Sequence, residues 1–178
     1  MKKSVLLLAG LFLMRAAEAQ YKPADQGSEV KFKISNFGIG VDGSFKGLQG
    51  SIDFDPNNIA AAHFDVSLDA STVNTDNSLR DSHLRNDGYF DVKEYPRIKL
   101  VSTKIVAAGS GGQYMFTGQL TIRNVTKEIS FPFTATESGG GLSFKGSFTI
   151  KRKDFNVGGT STISNELTVS LTVQATKG

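Results

Sequence analysis

The chain has 178 residues, of which 20 are lysine or arginine, 17 are aspartate or glutamate, two are histidine and none is cysteine. The lack of cysteine excludes a disulfide framework and any thiol catalysis. No internal repeat or low-complexity linker divides the sequence, and its length suits one domain with a sizeable core.

Residues 1–19 have the pattern of a secretory signal peptide. Lys2 and Lys3 form a positive start, residues 4–14 an apolar run, and Ala17-Glu18-Ala19 a small-residue cleavage site. The apolar run is shorter than the roughly 20 residues needed to span a bilayer. We therefore expect cleavage near Ala19 and a periplasmic or secreted mature protein, with one domain over residues 20–178. Cleavage lowers the basic residues from 20 to 17 and the acidic ones from 17 to 16, so nucleic-acid binding has no support.

From Val30 onward the sequence alternates apolar and polar residues, which is the period of β-strands. Hairpin-length connections and the lack of helical crossovers predict an all-β, antiparallel sheet of about eight strands. The long segments favour an elongated barrel over a sandwich, and a barrel of about eight strands either fills itself or holds one ligand. Within residues 97–108, Ile98 and Leu100 are expected on one face, with Val101 and Ile105 on the other.

Two short patterns have simple interpretations. Residues 38–43 spell G-x-G-x-x-G, which binds dinucleotides only where it opens a helix. No helical period follows here, so we interpret these glycines as bends in a curved sheet. His63 and His83 are 20 residues apart and lack metal-ligand spacing. No metal, cofactor or catalytic residue is therefore expected.

The alternation stops between residues 72 and 96, which we call the excursion. Thr75 is predicted to N-cap a short helix, with Asp81 in reach of Arg85 one turn later. Residues 86–88 provide stop signals, so the helical part lies within residues 75–95. Because structureless connections of this length are uncommon in compact domains, the excursion is expected to be a lid or binding loop.

The excursion also carries a family resemblance. Its matching residues are Asn74, Arg80-Asp81, His83-Leu84, residues 89–92 and Tyr95-Pro96. They resemble the signature of the YceI-like family, as do residues 118–127 and 151–158. Asn124 and Asn156 stand where that family commonly has glycine, and asparagine tolerates the same positive φ.

The resemblance spans most of residues 28–174. It implies a small exported bacterial β-barrel of lipocalin-like shape that binds polyisoprenoid or similar long-chain lipids in an apolar tunnel. The alternation alone favours a solid core, so the hollow interior is an expectation from the resemblance. The residues expected to line it are Phe32, Ile34, Phe54, Phe64, Val66, Leu100, Phe116, Leu120, Phe131, Phe133, Leu142, Phe144, Phe148 and Leu171.

Two charged groups are interpreted structurally. Arg80, Asp81 and His83 are expected to brace the excursion through charge-assisted hydrogen bonds. The run Lys151-Arg152-Lys153 is interpreted as a solvated strand end rather than an anion site.

The sequence thus predicts an exported protein that is no enzyme and that carries, scavenges or stores an apolar lipid: a polyisoprenoid, an isoprenoid quinone or a fatty amide. It leaves open transient membrane contact and a homodimer. The alternative is a ligand-free exported β domain with an interaction or stress-protective role, which requires a filled interior.

Overall fold

A computed structural model describes residues 20–178, so the predicted signal peptide lies outside the described residues. Eight strands and one short α-helix account for most of this part of the chain. The elements are β1 (Gln20–Asn36), β2 (Ile39–Asp53), β3 (His63–Asn74), α1 (Ser78–Leu84), β4 (Arg97–Ala107), β5 (Gln113–Ile122), β6 (Val125–Ser138), β7 (Gly141–Lys151) and β8 (Ile163–Lys177). Short 3-10 turns lie at Ile59–Ala61 and Arg152–Phe155.

The strands form one closed antiparallel barrel in sequence order, with β1 paired to both β2 and β8. The predicted fold class, an elongated antiparallel barrel of about eight strands with a short helical excursion, is confirmed. Closure leaves no free outer edge, which is how a strand-rich chain avoids pairing with other molecules.

The period of two decides which side chains face inward. In β5, Tyr114, Phe116, Leu120 and Ile122 are buried at alternate positions, while the residues between them are partly exposed. Gly118 occupies the remaining inward position.

A bulge in β4 overturns one predicted face. The pairing with β5 shifts register between Ser102 and Lys104, which adds one residue to β4. Ile105 therefore turns inward and is buried, on the same side as Ile98 and Leu100 rather than opposite them. The prediction for Ile105 was wrong because simple alternation does not anticipate a bulge.

The two positions where asparagine replaces the family's glycine behave differently. Asn156 has φ +56° and ends the 3-10 turn, as expected of a residue standing in for glycine. In the two-residue turn between β5 and β6 the positive φ, +55°, falls on Arg123 instead of Asn124. Asn124 is thus not the strained residue of that turn.

The ladder between β6 and β7 covers only part of the two strands. Its pairs run from Phe133↔Gly146 to Ser138↔Gly141, and Pro132, which has no N–H to donate, precedes the first of them. Beyond that point the gap is filled by the 3-10 turn Arg152–Phe155, which packs against β6. Phe155 is only 2% exposed and packs with Leu120, Ile122 and Val157.

The two ends of the barrel differ in their covering. One end, the closed end, holds the beginnings of β1, β5 and β7 and a large aromatic cluster. The other, the open end, holds the β1–β2 hairpin, the excursion and the segment between β7 and β8. The excursion takes its place there because β3 pairs with β4 only up to Asp69↔Arg97.

Candidate ligand-binding cavity

An apolar cavity of about 510 Å³ occupies the half of the barrel next to the open end. Side chains from every strand except β6 line it, together with residues of the excursion and of the β7–β8 segment. This volume lies within the range of roughly 300–1,000 Å³ typical of small-molecule sites.

The cavity ends on a floor halfway down the barrel. Five wall residues also pack against the aromatic cluster of the closed end: Val66, Leu100, Phe148, Leu171 and Val173. Below them, the Phe131 ring lies between Phe148 and Phe116, at centroid distances of 4.7 Å and 4.9 Å. The cavity is therefore a blind well, and the tunnel implied by the family resemblance does not run the length of the barrel.

The structure divides the fourteen predicted lining residues into two equal groups. Seven lie on the cavity wall: Phe32, Ile34, Val66, Leu100, Leu120, Phe148 and Leu171. The other seven lie in the core of the closed end and not on this wall: Phe54, Phe64, Phe116, Phe131, Phe133, Leu142 and Phe144. Whether the first group contacts a ligand stays a prediction.

Aromatic packing explains why the closed end is solid. The Phe54 ring, 1% exposed, meets Phe64, Tyr114 and Phe144 edge to face, with centroids 6.0 Å, 5.1 Å and 5.4 Å away. These geometries are the favourable ones for aromatic pairs. Large rings from opposite walls thus meet across the barrel axis and leave no channel.

At the mouth, Arg80 and Asp81 converge on Thr75. The Asp81 carboxylate, 6% exposed, accepts hydrogen bonds from the N–H and the hydroxyl of Thr75 at 2.9 Å and 2.5 Å. Arg80 donates from Nε to the Thr75 hydroxyl oxygen and from Nη2 to its carbonyl, both at 2.7 Å. This network holds the start of the excursion against the end of β3.

The engagement of Thr75 corrects two predictions. The N-cap of α1 is Asn77, whose side chain accepts from the Arg80 N–H at 2.9 Å, because the Thr75 hydroxyl is used by Arg80 and Asp81. Arg85 does not face Asp81. Its guanidinium donates to the carbonyls of Ser71 and Val73, at 2.7 Å and 2.9 Å, and so anchors the excursion to β3.

Aromatic residues fix the rest of the excursion. Phe90 meets Phe45 of β2 edge to face at 5.4 Å, and His83 meets Tyr89 at 6.1 Å. All four line the cavity. His83 thus braces the excursion through ring contact, in contrast to the hydrogen bonds of Arg80 and Asp81.

Arg152 departs from the interpretation of residues 151–153 as a solvated strand end. Lys151 and Lys153 are exposed, but Arg152 is 4% exposed and lines the cavity. Its guanidinium donates to the Ser161 hydroxyl and to the backbone carbonyls of Val157, Gly158, Gly159, Ile163 and Ser164. It organises the segment between β7 and β8.

The charged residues of the cavity lining are all cationic. They are Lys31, Arg80, Lys99 and Arg152, and the lining includes no aspartate or glutamate. Five polar lining residues lie near the mouth, namely Asn36, Thr75, Asn77, Arg80 and Arg152. Lys31, Ser67 and Lys99 lie in mid-strand, at positions that alternate with the inward residues, and the inward side chains of the floor are apolar.

Several wall residues were not among the predicted set. Those on strands are Val30, Val41, Phe45, Leu48, Leu68, Ile98, Ile122, Ile150, Ile163, Leu167, Val169 and Val173, and those elsewhere include Leu79, Leu84, Phe90 and Val157. Most of the strand residues carry the same alternation as the predicted ones, so that signal could have found them. Leu48 is an exception, since the register of β2 shifts between Lys46 and Gln49. Apolar residues inside the polar excursion, such as Leu84 and Phe90, were a second available signal.

Residues 20–178 contain no group of three or more histidine, aspartate or glutamate side chains placed to hold a metal ion. Over the same residues, no helix is long and apolar enough to cross a membrane.

The fold and the cavity together define a closed eight-stranded β-barrel with an apolar well open at one end. The family model described as a YceI-like domain matches residues 21–175, and the chain therefore belongs to the YceI-like family. Among curated relatives, it is 34% identical to a UPF0312 protein of Photorhabdus laumondii over 88% of this chain and 87% of the relative. It is 30% identical to a UPF0312 protein of Pseudomonas putida over 99% of this chain and 98% of the relative.

Solved structures agree with this assignment. BcnA of Burkholderia cenocepacia matches with a TM-score of 0.80 and 26% identity, over 86% of this chain and 99% of that one. The YceI protein of Campylobacter jejuni matches with a TM-score of 0.69 and 27% identity, over 100% of this chain and 99% of that one. A polyisoprenoid-binding domain of Saccharophagus degradans shares the fold, with a TM-score of 0.72 and 17% identity over 89% of this chain and 98% of that one.

Proposed function

We propose that this protein binds a long-chain apolar lipid in the cavity and acts as its carrier, scavenger or store. The observation that carries the proposal is the well of about 510 Å³ with an apolar floor. The Saccharophagus degradans domain, described as polyisoprenoid-binding, adds a fold-level analogy. A polyisoprenoid, an isoprenoid quinone or a fatty amide has the required apolar chain.

The free energy of burying a lipid chain in the cavity suits a protein that transfers lipid and catalyses no reaction. Each buried CH₂ is worth about 0.8 kcal/mol relative to water, so a long chain is held firmly against aqueous release. Its other environment is a bilayer, which is equally apolar, and exchange with a bilayer is therefore nearly balanced. Selectivity then rests on the depth of the well and on the polar groups at its mouth.

The arrangement of the lining suggests how the ligand is oriented. The floor offers only aliphatic and aromatic carbon, so the chain end enters first. A polar head group then remains at the mouth beside Asn36 and Arg80, because the polar groups of Thr75 are already engaged by Asp81 and Arg80. No bond is made or broken in this function.

The alternative, a ligand-free β domain, requires a filled interior. The closed end meets that requirement but the cavity does not, because a well of this size with an apolar floor loses packing contacts that a solid core would keep. This favours the ligand-binding proposal.

Export is part of the proposal. The signal-peptide pattern of residues 1–19 supports periplasmic or secreted localisation. Intact-mass measurement of the protein from fractionated cells tests it: a mature chain beginning near Gln20 in the periplasm or medium is expected, and an uncleaved cytoplasmic chain would contradict it.

Lipid binding is tested by mass spectrometry of the organic extract of the purified protein, and by uptake of added geranylgeraniol, a short isoprenoid quinone and a fatty amide. Val169→Trp fills the well from β8 and should abolish uptake. Ser170→Trp places the same ring on the exposed outer face and should leave uptake unchanged. A wild-type protein with no co-purifying lipid and no saturable uptake of any of these probes would overturn the proposal.

A further inference from the structure

Large apolar side chains are exposed at the open end of the barrel. Phe37 is 77% exposed, Ile39 71% and Leu79 79%, and we call these three residues the apolar rim. Among the residues that the structure describes, the next most exposed large apolar side chain is Val106, at 38%, which lies towards the closed end of β4. Exposed apolar surface is thus concentrated where the cavity opens.

The backbone conformation at Phe37 is unfavourable for a phenylalanine. Asn36 pairs with Ile39, which leaves Phe37 and Gly38 as a two-residue hairpin turn. Both have positive φ, +51° and +79°. Turns with positive φ at both central positions strongly favour Asn-Gly, and a bulky aromatic residue is unfavourable there. The Phe37 ring receives no burial in return, so the molecule by itself does not explain its presence.

The apolar rim adjoins the mouth of the cavity. Leu79, at the start of α1, lines the cavity and is also exposed. Asn36, next to Phe37, lines it as well, and the Phe37 N–H donates at 3.4 Å to the carbonyl of Thr162, which precedes the paired strand β8. A surface that covers the rim therefore also covers the cavity opening.

Cations accompany the rim. Lys33 lies along the hairpin, with its Cε 3.4 Å from the position of a Cβ on Gly40, and Arg80 follows Leu79 directly. Lysine and arginine stems can lie along apolar surface while their charges reach the phosphates of a lipid head-group layer. Asp42 and Asp76 also lie at this end, so the net charge is small and apolar insertion supplies most of the expected binding.

We propose that the open end of the barrel docks on the surface of a lipid bilayer, with Phe37, Ile39 and Leu79 entering the boundary between head groups and acyl chains. Docking joins the cavity to the bilayer interior, so a chain passes between them without crossing water. The choice of a bilayer as occupant rests on the proposed function, because the cargo's own reservoir is a membrane.

Vesicle flotation tests docking with the mature protein free of added lipid. The probes are vesicles of phosphatidylethanolamine with phosphatidylglycerol, and vesicles of phosphatidylcholine. The test variant combines Phe37→Asn with Ile39→Thr, neither of which lines the cavity, and the control is Val106→Thr. Since removing two inserting side chains forfeits more than the 1.4 kcal/mol that equals tenfold in affinity, vesicle binding of the double variant should fall at least about tenfold. The control should bind like the wild type.

Two further measurements distinguish the docking proposal from a purely structural role for Phe37 and from the proposed lipid-binding function. Phe37→Asn suits the turn better and should raise the melting temperature, which a purely structural role for Phe37 would not allow. Uptake of geranylgeraniol from solution should be kept by the double variant. A wild type that carries no co-purifying lipid and takes up none of the three lipid probes would overturn the proposed function, yet rim-dependent flotation would still support docking.

Two outcomes would overturn the docking proposal. One is a wild type that floats with neither kind of vesicle, or a double variant that floats equally well. The other is a wild-type dimer in solution that the rim substitutions dissociate, which would assign the rim to a second copy of the chain.

Discussion

Asp81 accepts both the N–H and the hydroxyl of Thr75, at 2.9 Å and 2.5 Å, and both residues are buried at the mouth of the cavity. One carboxylate oxygen thereby satisfies two donors of the chain at the point where β3 ends and the excursion begins. The Thr75 oxygen in turn accepts from Arg80, which places a cation beside the opening.

Replacing Asp81 tests this bracing. Asp81→Ala leaves the Thr75 N–H buried without a partner, which should cost about 1–3 kcal/mol in the free energy of unfolding. Asp81→Asn keeps an acceptor oxygen and should cost less. Urea unfolding measures both, and Asp87→Ala, an exposed acid in the same excursion, is the control that should stay within about 0.5 kcal/mol. Equal stability of Asp81→Ala and wild type would show that the network is dispensable.

A larger loss of stability is expected at Arg152, because its side chain alone holds together the segment between β7 and β8. Arg152→Lys keeps the charge but loses the planar fork that reaches several carbonyls, so about 3 kcal/mol or more should be lost. Thermal and urea unfolding measure the loss, and Lys153→Met, at an exposed neighbour, provides the control. An Arg152→Lys variant as stable as the wild type would contradict the role assigned to the fork.

The depth of the well should depend on Phe131, which separates the cavity floor from the closed end. Phe131→Ala should cost about 3–5 kcal/mol and extend the well downward, so that longer chains are preferred in uptake. Phe54→Ala, deeper in the closed end, should cost a similar amount but open a void away from the floor. Competition between short and long prenyl alcohols measures the preference, and an unchanged preference in folded Phe131→Ala would contradict this assignment of the floor.

The alternation of the sequence predicted an antiparallel sheet and the length of its strands favoured a barrel, but neither indicated which half of the barrel is hollow. Both halves have the same period of two, and the difference lies in side-chain size. Phe54, Phe64 and Phe144 reach across the axis and fill it, whereas shorter residues such as Val66 and Val169 leave the axis empty. Of the eight phenylalanines predicted to line the interior, Phe32 and Phe148 therefore lie on the cavity wall, and the other six lie in the core of the closed end.

Other features depend on contacts distant in the sequence. Arg152 continues the inward positions of Phe148 and Ile150, so the period of two separates it from Lys151 and Lys153. That period does not reveal the partners of its guanidinium, which come from residues 157–164. The N-cap passed from Thr75 to Asn77 because Asp81 and Arg80 engage the Thr75 hydroxyl from within α1. The bulge in β4 likewise lies opposite a residue distant in the sequence, Gly118 of β5, and β4 itself contains no glycine or proline that would signal it.

The wall of the well offers a last, closely matched test at two glycines of β2. Gly43 pairs directly with Phe32, and a Cβ on Gly43 would lie 2.2 Å from the Phe32 Cζ. Because Phe32 lines the cavity and also meets Phe45 at 5.6 Å, its ring can move only by disturbing that contact or by entering the well. Gly43→Ala should therefore cost about 1–3 kcal/mol and weaken lipid uptake. At Gly40, by contrast, a Cβ would meet only the flexible Lys33 side chain at 3.4 Å, so Gly40→Ala should leave both stability and uptake nearly unchanged. Urea unfolding and geranylgeraniol uptake are measured on both variants. If Gly43→Ala and Gly40→Ala have the same stability and the same uptake, the Phe32 ring does not shape the well.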